Sequence, residues 1–156
     1  MKFSYRSVIA SDPESDDFLV MRRPDIPLSI AGLQGRATVI GLVDTGSDYT
    51  IFPKQIAEYL GIALRESRSL HAVAFGGQHV PLYEGEAALS VGDGTEKITW
   101  RTVVCFFDFP DAAGEAILLG HQAFLDYFVA TFDGENGELT LTPTSELLEF
   151  ALRSGE

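Results

Sequence analysis

Cysteine, tryptophan and positive charge are all scarce in this chain. A single cysteine, Cys105, excludes an internal disulfide, and its setting in Val103-Val104-Cys105-Phe106-Phe107 reads as core. Three histidines, His71, His79 and His121, do not make a zinc-ligand spacing with it. No metal and no cofactor is expected. Eleven Lys and Arg against 23 Asp and Glu leave a formal charge of −12 and a pI near 4.5. That balance argues against nucleic acid or an anionic membrane as a partner. No apolar run approaches the length of a membrane span, and residues 1–17 lack the apolar centre of a signal peptide, so the expected location is cytoplasmic. There is no Gly-x-Ser-x-Gly elbow, and Gly32-Leu33-Gln34-Gly35-Arg36 lacks the lysine of a phosphate loop.

What the chain does have is aromatic and β-branched bulk. With 156 residues, 46% of them hydrophobic and eleven of them Phe, it is suited to one strand-rich domain or one lobe of a larger assembly. Residues 1–17 are polar and end in Asp12-Pro13-Glu14-Ser15-Asp16-Asp17, which suggests a mobile arm or a first loose strand. Phe18-Leu19-Val20-Met21 is a strand candidate. Ile26 to Ile30 alternates, turns at Leu33-Gln34-Gly35 and returns through Ala37 to Val43 as a hairpin. Pro53, then Ile56-Ala57 and Leu60 on one face, then Gly61, specify a short helix. Leu70 to Ala74 and Val80 to Tyr83 flank Phe75-Gly76-Gly77-Gln78 as a glycine-tipped hairpin. Glu86 to Val91 and Ile98 to Phe107 flank Gly92-Asp93-Gly94, and an acidic loop follows from Asp108 to Glu115. Ala123-Phe124 and Tyr127-Phe128 recur at helical spacing, Asn136-Gly137 marks a hairpin, and Pro143-Thr144-Ser145-Glu146 opens a last helix. The expected division is an arm over 1–17, a folded domain over 18–142 and a helical extension over 143–156.

Two stretches organise the rest. In Val39-Ile40-Gly41-Leu42-Val43-Asp44-Thr45-Gly46-Ser47-Asp48 an apolar strand ends abruptly in a carboxylate, and Ile51-Phe52 resumes the core only a few residues later. A carboxylate between two core segments loses hydration, so it must be hydrogen-bonded, neutral or sharing a proton. The tripeptide alone is ordinary turn punctuation. The second stretch, Ala116-Ile117-Leu118-Leu119-Gly120, is a wholly apolar strand ending where only glycine leaves room for another backbone.

Taken in order, Val43-Asp44-Thr45-Gly46-Ser47-Asp48, the glycine-tipped hairpin, and Leu118-Leu119-Gly120 before a short helix resemble the retropepsin-like aspartic proteases. Arg23-Pro24 is similar to the start of the retroviral members, and the helix from Pro53 to Leu60 to the cellular and bacterial ones. The resemblance covers roughly residues 22–142. It implies a mostly β fold: a closed antiparallel β-barrel with a flap hairpin and two or three short helices. It also implies a homodimer that binds an extended peptide or protein substrate. One Asp-Thr-Gly per chain fits that implication, because peptide hydrolysis by carboxylates needs two of them around one water.

Carried over residue by residue, the resemblance makes Asp44 the catalytic acid-base, Thr45 a hydroxyl reaching across the two-fold axis and Gly46 the point where substrate backbone comes close. Ser47 either hydrogen-bonds the outer oxygen of Asp44 or is an ordinary turn hydroxyl. Asp48 meets peptide backbone, and Phe75, Gly76 and Gly77 form the flap tip. Where viral members have arginine after the equivalent of Gly120, this chain has His121. Asp48 is therefore expected to be held by His121 together with Arg23 of the partner subunit, in a dimer that weakens as pH rises. His121 as a helix-start residue making one backbone bond is the other reading. The expected activity is an aspartic endopeptidase, and the alternative is a peptide-binding or dimerisation module on the same fold.

Overall fold

The protein is described from a computed structural model that covers residues 1–11, 14–15, 17–73, 79–108 and 117–153. In chain order the strands are β1 (Lys2–Ser4), β2 (Arg6–Ser11), β3 (Phe18–Arg23), β4 (Asp25–Gly32), β5 (Gly35–Val43) and β6 (Ile51–Pro53). The helix α1 (Lys54–Leu60) follows, then β7 (Arg65–Val73), β8 (His79–Gly92), β9 (Lys97–Phe107) and β10 (Leu118–Leu119). One 3₁₀ turn (Leu125–Tyr127) leads into β11 (Phe128–Asp133), β12 (Glu138–Pro143) and α2 (Ser145–Arg153).

The main sheet runs β4-β5-β10-β6-β9-β8-β7, and β8 pairs again with β4. That second pairing, from Leu28↔Val91 to Ala31↔Ala88, closes β4, β5, β10, β6, β9 and β8 into a six-stranded barrel with β7 outside it. Closure removes the free edges that an open sheet would expose. The expected closed, mostly β barrel is therefore observed, with one correction: it is not wholly antiparallel. β10 runs parallel to β5 and β6 runs parallel to β9, because both short strands enter the barrel from loops rather than from hairpins.

Alternation fixes which face of each strand is inside. Ile26, Leu28 and Ile30 of β4 are buried, as are Ala87, Leu89 and Val91 of β8 and Ile98 and Trp100 of β9. Trp100 is the centre of an aromatic cluster, with ring centroids 6.0 Å from Phe124, 6.2 Å from Tyr127 and 5.6 Å from Phe128. Its indole N–H donates to the Ala123 carbonyl at 3.2 Å, so the one polar atom of the ring is satisfied inside the core.

α1 is short because its signals are local. Pro53 stands at the N-cap, and Gly61 ends the helix at φ 65°, where its own N–H and that of Ile62 fold back onto the last turn. Ala57 and Leu60 are its buried face. The helix expected after Gly120 is only the 3₁₀ turn: Ala123 has φ 73°, which breaks a regular helix, and Phe128 already starts β11.

Within residues 1–17, read from the sequence as a mobile arm or a first loose strand, residues 1–11 contribute two strands. β1 pairs with β12, and Met1 and Phe3 are buried in the core. The backbone N–H of Lys2 also donates to Asp93 at 2.9 Å. Asp93 caps the 93–96 turn through Glu96 N–H and the Thr95 hydroxyl and N–H, and these bonds hold its carboxyl far below the usual range. The last helix lies on the outside of the barrel against β9, with Leu147 buried and Thr144 Oγ1 accepting the Leu147 N–H.

Replacing Trp100 by Ala is expected to destabilise the fold by about 3–5 kcal/mol, the range for a large buried aromatic. Urea unfolding followed by far-ultraviolet circular dichroism measures this directly.

Candidate active site

β5 ends at Val43 and β6 begins at Ile51, yet the two strands are not neighbours. β10 lies between them, with Leu119 beside Val43 on one side and Leu118 beside Ile51 on the other. Residues 44–50 must therefore cross over the end of β10. Gly120 is the residue beneath that crossing. A Cβ at Gly120 would fall onto the Tyr49 carbonyl oxygen and within 2.5 Å of the Ser47 carbonyl oxygen. The glycine that ends the apolar strand is thus required by close backbone approach.

Backbone hydrogen bonds then clasp the crossing. Asp44 N–H donates to the Leu119 carbonyl at 3.1 Å, His121 N–H to Ser47 at 3.0 Å and Gln122 N–H to Asp48 at 2.9 Å. Thr50, buried, reaches the Gly120 carbonyl through its hydroxyl at 3.5 Å. Loop and strand end form one unit, so the direction of Asp44 is set by the barrel rather than by a mobile turn.

The Asp44 side chain is half-buried, whereas Thr45 and Gly46 are exposed. One carboxylate oxygen, Oδ1, accepts the Gly46 N–H at 2.9 Å. Among the described residues the other oxygen accepts no hydrogen bond. Gly46 is tight for its own reason: a Cβ there would sit 3.2 Å from Asp44 Oδ1.

Ser47 does not serve Asp44 within the chain. Its hydroxyl donates to the Tyr49 carbonyl at 2.7 Å, which is the ordinary turn role. His121 braces the turn from below, with Nε2 3.0 Å from the Thr45 carbonyl, so that ring nitrogen carries the proton. Its Nδ1 stands 3.9 Å from Asp126, and both side chains are exposed. Arg23 pairs at 3.1 Å with Asp25 of its own chain, whose carboxylate is buried. Asp48 is exposed and has no ion pair with either residue among the described ones. Phe75, Gly76 and Gly77 lie outside the described residues. The two legs of their hairpin, β7 and β8, are paired up to Val73↔His79.

Tyr49 and Thr50 belong to this unit, although neither stood out in the sequence. Their signal was available: a glycine that must lie under a crossing chain implies that the chain's own carbonyls approach it. Cys105 is also adjacent, its N–H donating to the Thr50 carbonyl at 3.0 Å. Burial, followed by the nearby Glu84 carboxylate, raises its thiol to about 11. It is no nucleophile at neutral pH.

Four concavities among the described residues lie away from Asp44, for example one lined by Ser29, Thr38, Ser90 and Lys97 and another by Gly32, Ile62, Ala88 and Arg101. Among the described residues no group of His, Cys, Asp and Glu is placed to hold a metal ion, and no helix is long and apolar enough to cross a membrane.

No protein-family model matches this chain, and no curated protein matches its sequence. Among solved structures it is similar to an EIAV protease complexed with the inhibitor HBY-793, at 20% identity and a TM-score of 0.42, over 64% of this chain and 82% of that one. A likeness of that size adds nothing to the strand topology, which establishes the closed barrel by itself.

Two measurements check this geometry. Gly120→Ala is expected to destabilise by about 1–3 kcal/mol, at the upper end of overpacking effects because the atoms it meets are backbone. Chemical denaturation reads that change. Cys105 should be silent to thiol reagents at pH 8 in the folded protein and react once the chain is unfolded in urea. Because its folded value lies above the ordinary 9.0, the unfolded chain loses this proton first, and stability should fall as pH climbs from about 9 to about 11.

Proposed function

We propose that this protein is an aspartic endopeptidase in which two copies of the chain bring their Asp44 carboxylates together around one water. The observation that carries the reading is the Asp44-Thr45-Gly46 turn itself. It is held rigidly over Gly120 at one end of a closed barrel, with the carboxylate half-exposed and one of its oxygens uncommitted within the chain. The chain carries one such turn, and peptide hydrolysis by carboxylates requires a second acid and a surface that excludes water.

In the proposed reaction one Asp44 removes a proton from the water as it attacks the scissile carbonyl carbon, while the other, protonated, donates to the carbonyl oxygen. Two carboxylates about 3 Å apart cannot both ionise, so the pair holds one proton and works on the acidic side of neutrality. The substrate lies extended beneath the hairpin formed by β7 and β8, where Phe75, Gly76 and Gly77 take the role of the closing tip and Asp48 meets the peptide backbone. Thr45 faces the second copy. His121 keeps the turn in place from its own chain through the Thr45 carbonyl. The pairing of Arg23 with Asp48 of the second copy remains part of this reading, and it has to compete with Asp25.

With −12 on each subunit, association works against like charge, and added salt should favour it. A fluorogenic peptide library assayed from pH 4 to 7 tests the proposal. Wild type is expected to cleave, with a rate that rises with salt, and Asp44→Asn is expected to lower turnover by roughly 10²–10⁴-fold. Turnover that survives Asp44→Asn would overturn the mechanism. Peptide binding without cleavage at any pH would instead mark a binding module.

A further inference from the structure

Two of the concavities lie side by side on one outer face of the barrel, and that face gathers positive charge in an acidic chain. The pairings of β5, β4, β8 and β9 set its side chains in rows. Thr38, Ser29, Ser90 and Thr99 stand abreast in one row, and Arg36, Ala31, Ala88 and Arg101 in the next. Ile30, Leu89 and Trp100, which alternate with these residues along their strands, are buried, and Ala37 packs against the core. Both rows therefore face outward. Beyond them Gly92 and Lys97 pair at the end of β8 and the start of β9.

The short side chains of β4 and β8 make a floor, and the longer ones of β5 and β9 make rims roughly 14 Å apart, three strand spacings across. One concavity of about 370 Å³ opens over Ser29, Thr38, Ser90 and Lys97, and one of about 290 Å³ over Ala31, Ala88 and Arg101. The trough they form is bounded lengthwise, by Gly94 and Thr95 at one end and by residues 61–63 at the other. Arg36 and Lys97 enter no ion pair among the described residues, and Arg101 meets Glu86 only at 3.6 Å, with both side chains exposed. Glu96, which also lines the trough, is taken by the Met1 ammonium at 3.1 Å. The charges left over are cations.

We propose that this trough binds a small polyanion, a compound carrying two or more phosphate or carboxylate groups. Charge complementarity chooses the ligand: Arg36, Arg101 and Lys97 stand around the floor as donors to anionic oxygens. The hydroxyls between them are paired, Ser29 with Thr38 at 3.3 Å and Ser90 with Thr99 at 2.9 Å. Each pair spends one O–H proton internally and keeps one to donate, so two donors face the ligand. No aromatic ring lines either concavity, and a stacked base is not accommodated. A trough closed at both ends suits a compact molecule rather than a chain passing through. At physiological ionic strength the screening length is about 8 Å, so the cations lining the trough outweigh the more distant carboxylates of a chain with net −12. The site is built within one chain and shares no residue with the Asp44 turn.

Titration of ¹⁵N-labelled protein with inorganic pyrophosphate and, separately, with citrate tests the site through amide chemical shifts. Saturable shifts are expected at Ser29, Ser90 and Lys97, with a Kd below about 1 mM at low salt that weakens as salt is added. The double variant Arg36→Gln, Lys97→Gln changes two exposed side chains and should keep its urea midpoint while binding at least about ten-fold more weakly. Arg6→Gln, which removes an exposed cation on β2, should bind as wild type does. Saturation by pyrophosphate alone assigns a phosphate compound, by citrate alone a carboxylate compound, and by both the charge they share. The proposal is overturned by the absence of saturable shifts with either anion up to about 10 mM, by shifts that saturate outside the trough, or by a Kd that the double variant leaves unchanged or that Arg6→Gln weakens equally. No peptide is cleaved in this measurement, so its outcome is independent of the protease reading.

Discussion

The contact on which the rest of the structure depends is a backbone laid across a backbone. Two carbonyls, of Ser47 and Tyr49, rest on Gly120 with no room for a methyl group between them. Everything about the Asp44 turn follows from that approach. β10 can slip between β5 and β6 only if the loop joining them passes over its end. The loop keeps its shape only because the N–H groups of His121 and Gln122 satisfy its carbonyls. Side chains of Ser47, Thr50 and His121 add to these backbone bonds, and Asp44 commits one carboxylate oxygen to the Gly46 N–H while the other accepts no hydrogen bond among the described residues.

The same economy orders the contacts around the turn. Asp44 is half-exposed, and Thr45 and Gly46 beside it are exposed. Arg23 and His121, expected at Asp48, are each engaged within their own chain, one to buried Asp25 and one to the Thr45 carbonyl. A buried carboxylate needs its cation more than an exposed one does, since losing it would strand a charge out of water. That preference orders the partners available to Arg23.

Where local chemistry and global packing agreed, the sequence was readable. The alternation of Ile26, Leu28 and Ile30, the Pro53 and Gly61 boundaries of α1 and the glycine at 120 each state their structural role in the residues themselves. Direction of pairing was not readable. β6 and β10 are three and two residues long, too short to carry a period, and whether they run parallel is decided by the loops that deliver them. The helical spacing of Phe124, Tyr127 and Phe128 was real but served packing around Trp100 in a different backbone, because aromatic clustering does not need a helix. Residues 1–17 looked polar as a composition. Yet Met1 and Phe3 are core, and the strand order that makes them so depends on β12, more than a hundred residues away. At the site, sequence located Asp44, Thr45, Gly46 and Gly120 but could not say that Ser47 turns to Tyr49, since several acceptors lie within reach of a serine in a tight turn.

β8 has two occupations. From Ala88 to Val91 it is a stave of the barrel, paired on one side with β4 and on the other with β9, and from His79 it is one leg of the hairpin with β7. At Gly85, between the two, there is no space for a side chain above Ile62 and Leu64. The wall pairings anchor one end of this strand as firmly as any part of the molecule. β9 stays paired with β8 as far as Tyr83, so only residues 79–82 of this leg, which pair with β7 alone, project beyond the wall, like a reed clamped at its base.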